Sequence, residues 1–595
     1  MKLGNVKLSI MEIKQLIMME QLNLNFTGGR CHLPLWTNPN DKWATILWKK
    51  LEKKVLNIQK RIYKTIKAGK IGKAKKLARL LLRSTSSIIL NVRRVTQDNK
   101  GKRTAGVDGV KMLPPKQRLA MVNELILQAK RNFERYKAKP IRRIYVPKPN
   151  GDKRPLGIPT LKDRVIQGIV KSSLEPIWEA KFEPHSYGFR RAHSTHDAIS
   201  LVFNSLNRKQ KWVLEADIKG CFDNINHEKL LEKLCGTNTL KRMIRQMLKA
   251  GCMDNQVFSN TEIGTPQGGI ISPLLANIAL DGLETHLKTE LKKKYTYKEI
   301  GQGAFRLVRF ADDFVVLNSN KEVIVDAKRI TKQWLAERGL ELKTSKTKIT
   351  HSSEGFDFLG FNIRHYHDNY DHFMCKNRSL ESSKLKDFKL LIKPSKKTIK
   401  KHSHAIKELL RSTRAATQDD VIKKLNPIIK GWANYHKNVV SSEIFARQDY
   451  IVFQQLWAWS KRRHTNKSKR WIVKKYFRTI GKRKWCFATS VNVLTKHSDT
   501  KIIRHVMVKT GKSYYDGDET YWANRLSKGY GNISLSEAKL LKRQNGKCIF
   551  CDAQFKNEDI MEIHHRIKKK DGGKDRYKNL TLIHKHCHDQ LHGKP

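Results

Sequence analysis

Two short apolar runs that each deliver carboxylates constrain this chain more than any other feature. Trp212-Val213-Leu214-Glu215-Ala216-Asp217-Ile218 reads as a buried strand carrying an acid near its end. Phe310-Ala311-Asp312-Asp313-Phe314 places two more acids between the β-like runs Phe305 to Phe310 and Phe314 to Leu317. Adjacent aspartates at a tight hairpin turn are costly unless cations neutralise them. Taken alone such a pair is more often a plain β-turn. A fold that sets the two runs side by side makes a three-carboxylate cluster, which is what two Mg²⁺ ions roughly 3.5–4 Å apart require for phosphoryl transfer.

The surroundings predict an α+β organisation. Between Arg142 and Ile363, β-branched or aromatic runs such as Ile144 to Val146 and Phe356 to Ile363 alternate with helix-like segments. Upstream, Leu47, Leu51, Val55, Ile58 and Ile62 recur at helical spacing, and a second basic helix carries Leu77, Leu80 and Leu81. Downstream, Ile399, Ile406, Leu409 and Leu410 restore a helical period that runs on to Trp457 and Trp459. A length of 595 residues implies two to four domains.

Charge narrows the partner. Lysine and arginine total 120 against 54 acids, and a net charge of +66 repels itself in any compact state without a polyanion. Nucleic acid is the natural partner. Residues 461–485 hold 12 Lys or Arg and no acid, interleaved with Trp471, Tyr476, Phe477 and Trp485, so phosphate contact and base stacking are both available there. Nine cysteines in such a length make no disulfide framework, which suits a reducing compartment. The apolar patch from Ile10 to Met19 is interrupted by Glu12 and Lys14, far short of the roughly 18 apolar residues of a span, so the expectation is a soluble intracellular protein without a membrane partner.

With these residues in place, the sequence resembles the reverse transcriptase family. Asp217-Ile218-Lys219-Gly220-Cys221-Phe222 matches its motif A and Phe310-Ala311-Asp312-Asp313 its motif C, with Phe310 where the family usually has Tyr. Gly264-Thr265-Pro266-Gln267-Gly268-Gly269-Ile270-Ile271-Ser272-Pro273-Leu274-Leu275 resembles motif B, a glycine-rich loop that supports template and nucleotide, with Gln267 in it. Ile144 to Pro149 and Arg154 to Thr160, followed by Lys162-Asp163-Arg164, resemble the fingers motifs. The resemblance implies that Asp217, Asp312 and Asp313 hold two Mg²⁺ and that Phe222 is a steric gate selecting deoxynucleotide triphosphates. It further implies that Lys148 and Arg164 bind the triphosphate and that Lys346 protonates pyrophosphate.

Three features point within the family to group II intron proteins. Arg94 to Asn99 leading to Ala105-Gly106-Val107-Asp108-Gly109 looks like their N-terminal motif. Leu425 to Tyr435 resembles the maturase segment, or domain X, that forms the thumb. Lys430, Trp432 and Tyr435 lie close enough on one helix to clamp RNA, although helix packing explains the aromatics equally well. A nuclease module follows.

Cys548-Ile549-Phe550-Cys551 and His584-Lys585-His586-Cys587 form two clips suited to a tetrahedral structural Zn²⁺. Either His584 or His586 supplies the fourth ligand, and spacing favours His584. With Glu562-Ile563-His564-His565, Asn579-Leu580 and His588, these clips resemble the ββα-metal HNH fold. By that resemblance His565 is the general base, His564 and His588 hold a divalent metal such as Mg²⁺, and Asn579 and Glu562 support the site.

The implied architecture is an uninformative segment 1–45, a helical extension and start of fingers 46–135, and fingers and palm of a right-hand polymerase 136–370. A thumb or maturase domain 371–460, a basic DNA-binding region 461–540 and an HNH module 541–595 complete it. The implied function is to bind group II intron RNA, assist its splicing, nick target DNA and copy the RNA from the nick, in bacterial cytoplasm or nucleoid or in a plastid stroma. The alternative is a non-enzymatic splicing cofactor with a decayed polymerase, against which the intact Asp217, Asp312 and Asp313 argue.

Overall fold

The computed structural model describes residues 43, 45–147, 151, 153–254, 257–301, 304–367, 388–528, 533–555, 559–568 and 571–592. The lysine-studded ladder at Leu51, Val55, Ile58 and Ile62 forms the helix Trp48–Lys67, with Lys64 and Lys67 at its C-terminal end where the helix dipole is negative. Its buried side packs with the helices Ile71–Leu82 and Thr85–Arg93 around the helix Leu161–Glu179. That last helix is buried on nearly every side, with polar residues such as Gln167, Ser173 and Glu175 buried among its apolar ones.

The described residues form sixteen strands, β1 to β16 in chain order. β1 (Ile141–Pro147) and β2 (Lys153–Ile158) are an antiparallel pair joined to β4 (Cys252–Asp254) and β5 (Val257–Ser259) in a four-stranded sheet. The central five-stranded sheet runs β6 (Arg306–Phe310), β7 (Asp313–Asn318), β3 (Trp212–Lys219), β8 (Glu341–Leu342), with β9 (Lys348–His351) also paired to β3. One face of this sheet sends Leu214, Phe314 and Val316 into the large core shared with the N-terminal helices, while the alternating Val213, Val315 and Leu317 enter a second core. That second core continues into β10 (Phe356–Phe358), β11 (Phe361–His367) and β12 (Phe388–Pro394).

The helices Lys396–Ser412, Gln418–His436 and Ser442–Arg463 form a bundle where the thumb is expected. Its core does not stop at residue 460: Ile472, Tyr476, Phe477 and Phe487, from the helix Lys469–Tyr476 and the hairpin β13 (Phe477–Ile480) and β14 (Arg483–Phe487), pack with Ile406, Leu425 and Trp459. The expected boundary at 460/461 therefore cuts through one core, because the aromatics that punctuate the basic run at helical and strand spacing are partly buried.

Residues 501–509 then cross the polymerase without regular structure. The His505 ring meets Asp197 Oδ1 at 3.0 Å, the Val508 amide donates to the same oxygen at 2.9 Å, and the fully buried Tyr515 donates to Glu175 Oε2 at 3.0 Å. Part of the expected DNA-binding region is thus a strap fastened to the helices Thr195–Leu206 and Leu161–Glu179. It leads to the nuclease module, in which β15 (Met561–His565) and β16 (Leu580–His584) form a hairpin followed by the helix Lys585–Leu591. The module rests on the first helix: Gln590 Nε2 donates to the Ile46 carbonyl at 3.1 Å, Lys49 Nζ lies 3.5 Å from Asp559, and Arg93, stacked over Trp48, reaches Asp589 at 3.9 Å.

Candidate active sites

β3 and β7 pair antiparallel with Asp217 directly opposite Asp313, and the β6–β7 turn sets Asp312 beside them. The Ile218 amide donates to the Asp312 carbonyl at 3.3 Å, tying the turn to the end of β3. The turn is held from below. Ala311 has φ 59°, and a Cβ on Gly188 would lie 2.3 Å from its amide nitrogen, so only glycine lets the 186–190 segment pass there. The fully buried Arg309 donates to the Ala311 carbonyl at 3.4 Å and to Asn277 Oδ1 at 3.3 Å.

Electrostatics follow from this crowding. Burial and the facing Asp217 and Asp312 carboxylates push Asp313 up to about 7. Asp312 is raised by burial and by Asp217, against the opposing pull of Lys346 and Arg154. Lys346 Nζ sits 2.6 Å from Asp217 Oδ2, and although burial works against its charge the three carboxylates hold its pKa above the usual lysine value. An ammonium already compensates the cluster, and a donor set of hard carboxylate oxygens with residual repulsion fits Mg²⁺.

The neighbouring motifs converge on the same place. A Cβ on Gly264, which has φ +84°, would meet the Asp223 carbonyl at 2.4 Å, so the glycine-rich loop lies against the segment after Asp217. The Thr265 amide donates to the Phe222 carbonyl at 2.5 Å, and Gln267 Nε2 lies 3.3 Å from Asp223 Oδ2. The half-buried Phe222 ring packs edge-on to Phe189 at 6.0 Å.

Other expected residues go elsewhere. Arg164 is buried, and its Nε and Nη1 donate to the carbonyls of Pro159 (2.9 Å) and Gly101 (3.0 Å) and its Nη2 to that of Thr104. It staples the 101–104 segment to the fingers instead of facing the carboxylates, because a buried guanidinium must satisfy its donors. Arg154, exposed on β2, is the fingers cation that the carboxylates feel; it lay in the Arg154 to Thr160 motif without being singled out. Lys148 falls outside the described residues.

The thumb aromatics also need correction. Trp432 is stacked on His402 at 4.5 Å and 11° and edged by Phe445 and His497. Tyr435 stacks on Phe361 at 5.3 Å and donates to the Leu359 carbonyl at 2.9 Å. Both rings are half-buried in packing contacts, Trp432 within the helical bundle and Tyr435 against β11. Lys430 remains exposed.

In the nuclease module, the ligand atoms of Cys548, Cys551, His584 and Cys587 all lie within 4.8 Å of one another. His584 points Nδ1 toward the Cys551 sulfur (3.4 Å) and Nε2 toward Asp559 (3.0 Å), and despite burial the Asp559 carboxylate and the thiols hold it up to about 11. A carboxylate on the outer nitrogen is how a metal-binding imidazole is oriented. His586 instead stacks on His584 at 5.0 Å, and burial and Arg93 hold it down at about 3. The donor chemistry, three thiols and one imidazole, fits Zn²⁺.

A second cluster joins His564, His588 and His592, again with ligand atoms within 4.8 Å. Glu562 pairs with His588 Nδ1 at 2.9 Å. The sequence reading missed His592; its i,i+4 spacing from His588 on a short helix was the available signal. His565 meets Asp575 Oδ1 at 2.6 Å, and Asn579 bonds the Ile567 amide (2.8 Å) and the Ile567 and Lys574 carbonyls (both 3.1 Å), bracing the loop beyond the His565 strand.

Family comparison agrees with these two centres. The family described as reverse transcriptase (RNA-dependent DNA polymerase) matches residues 146–363, and the N-terminal domain of reverse transcriptase matches 43–125. The group II intron maturase-specific domain matches 399–477, and HNH endonuclease matches 548–594. The chain belongs to the group II intron reverse transcriptase/maturase family. Protein YkfC of Escherichia coli (strain K12) is 36% identical over 299 residues, 45% of this chain and 78% of that protein. The group II intron-encoded protein LtrA of Lactococcus lactis subsp. cremoris is 35% identical over 286 residues, 38% of this chain and 47% of that one. A 91 kDa protein in the cob intron of Schizosaccharomyces pombe is 26% identical over 496 residues, 73% of this chain and 58% of its own. The chain thus spans about half of LtrA's length. Family members of this type carry a reverse transcriptase and an HNH endonuclease domain, and both are present here. Among the described residues no helix is long and apolar enough to cross a membrane.

Proposed function

We propose that this chain binds its group II intron RNA and assists its splicing, nicks target DNA with the HNH module, and copies the intron RNA into DNA from the freed 3′-hydroxyl. The observation that carries the reading is the in-register pairing of Asp217 with Asp313 beside Asp312. Two Mg²⁺ held by these three residues would activate the primer hydroxyl and stabilise the leaving phosphate. The protein's own part is to keep the carboxylates in place on a hairpin braced by Arg309 and Gly188, to offer Lys346 as a proton source, and to shape the nucleotide site with Phe222 and Gln267.

In the nuclease, His564, His588 and His592 would hold a divalent metal that stabilises the cleaved phosphate. With its Nε2 hydrogen-bonded to Asp575, His565 has Nδ1 as the proton acceptor for the attacking water. Cys548, Cys551, His584 and Cys587 would hold the structural Zn²⁺.

Primer extension by the purified chain on an RNA template with Mg²⁺ and deoxynucleotide triphosphates, beside an Asp312→Ala control, tests the polymerase reading. Extension by the parent chain and none by the variant supports it. No extension by the parent chain leaves the splicing cofactor as the reading.

A further inference from the structure

At the C-terminal corner of the helical bundle three half-buried apolar side chains and one exposed one lie together. Phe453 and Trp457 from the helix Ser442–Arg463, Val473 from the helix Lys469–Tyr476 and Trp485 from β14 floor an open basin of about 660 Å³. The rings are graded in tilt: Phe453 and Trp457 lie 6.4 Å apart at 25°, and Trp457 and Trp485 6.2 Å apart at 44°. Trp485 is 49% exposed and sits at φ 60°, a backbone region bulky residues rarely occupy.

The rim is cationic. Lys469, Arg470 and Lys474 line the basin, and all three are exposed. No acid occurs from residue 461 to 485 to neutralise them. A floor of tilted aromatic rings ringed by cations, with the exposed Trp485 offering a ring face, is complementary to a ligand with a flat apolar face and an anionic backbone, which describes a nucleotide with its base unstacked. A protein partner would need a strongly acidic surface around an apolar plug, and base-paired nucleic acid hides its ring faces.

We propose that this basin is a stacking site for an unpaired nucleotide of RNA, with Lys469, Arg470 and Lys474 on its phosphates. RNA is chosen over DNA because Phe453, Trp457 and Val473 lie inside the stretch matched by the maturase-specific domain. The proposal rests on the maturase reading above and is independent of whether the polymerase works.

The test compares dissociation constants of the full chain for two labelled RNAs, a stem closed by an unpaired loop and the same stem as a blunt duplex. Trp485→Ala should weaken the stem-loop by about tenfold, within the roughly 5- to 150-fold span of losing one base–aromatic stack, and leave the duplex within about twofold. Trp485→Phe should restore most of the loss. Replacing Lys469 and Lys474 together by Gln should lower the salt slope of stem-loop binding by about 1.4, at roughly 0.7 per phosphate on a single strand. Thermal melting checks that each variant is folded. Equal weakening of both RNAs, no weakening of either, or an unchanged salt slope overturns the proposal. So does a DNA stem-loop that binds more tightly and takes the whole effect, or binding to anionic lipid vesicles that Trp485→Ala removes while RNA binding persists. Because nothing in this readout requires polymerisation, failed primer extension and failed stacking are separate results.

Discussion

Replacing Asp313 by Asn removes a charge that the folded chain holds against its interest, and the size of that effect follows from the pKa of about 7. A carboxyl at about 3.8 in the unfolded chain and about 7 in the folded one binds more protons when folded, so stability is full below about pH 4 and falls as pH rises to about 7. Three pH units correspond to about 4 kcal/mol in total, of which about 2.5 kcal/mol develops between pH 5 and pH 8. Asp312 is raised beside it, so this is the behaviour of the cluster read through one member. In EDTA, the Asp313→Asn variant should therefore gain thermal stability over the parent chain from pH 5 to pH 8, by about 5–10 °C at roughly 2–4 °C per kcal/mol. Comparing variant with parent at each pH cancels the buried histidines, which shift stability the opposite way. Scanning calorimetry or tryptophan fluorescence reads the difference, and Mg²⁺ should shrink it by screening the parent's carboxylates. A variant-minus-parent difference that stays flat across this range would refute the convergence of charge at the hairpin.

His565→Ala should abolish nicking of target DNA while primer extension persists; loss of both would show that the two centres are not independent. Phe222→Ala should admit ribonucleotides in an extension assay, and unchanged sugar selectivity would remove its gate role. His584→Ala should release zinc measured by elemental analysis while His586→Ala keeps it, and the reverse would reassign the fourth ligand. Trp432→Ala should cost the thumb about 3–5 kcal/mol in denaturant unfolding, the usual loss for truncating a packed aromatic; a variant as stable as the parent would mean the ring is not a packing element.

The meeting of Asp217 with Asp312 and Asp313 was legible in the sequence because acids at the end of an apolar strand and at a hairpin turn are costly to bury apart, and strand pairing brings them together. The gathering of Cys548, Cys551, His584 and Cys587 was legible from the spacing of the two clips, and their ligand atoms lie within 4.8 Å of one another. Residues whose role depends on distant partners were not legible. Trp432 and Tyr435 show the same helical spacing whether they face RNA or Phe361 and His402, and only tertiary packing distinguishes the two. Arg164 carries the same charge on a phosphate as on three carbonyls. The strap through His505 and Tyr515 gave no periodic signal at all, since irregular chain is fastened residue by residue.

The seat of the nuclease on the first helix makes the fold a closed circuit from its earliest described helix to its last. Gln590 on the Ile46 carbonyl and Asp589 beside Arg93 mean that cutting away the C-terminal module would take one of two carboxylates from a guanidinium that is only 4% exposed over Trp48, leaving it Asp98 at 3.3 Å. Trimming this protein to a bare polymerase is therefore surgery on the fingers as well, and a shortened version would need new side chains at Trp48 and Arg93 to heal the wound.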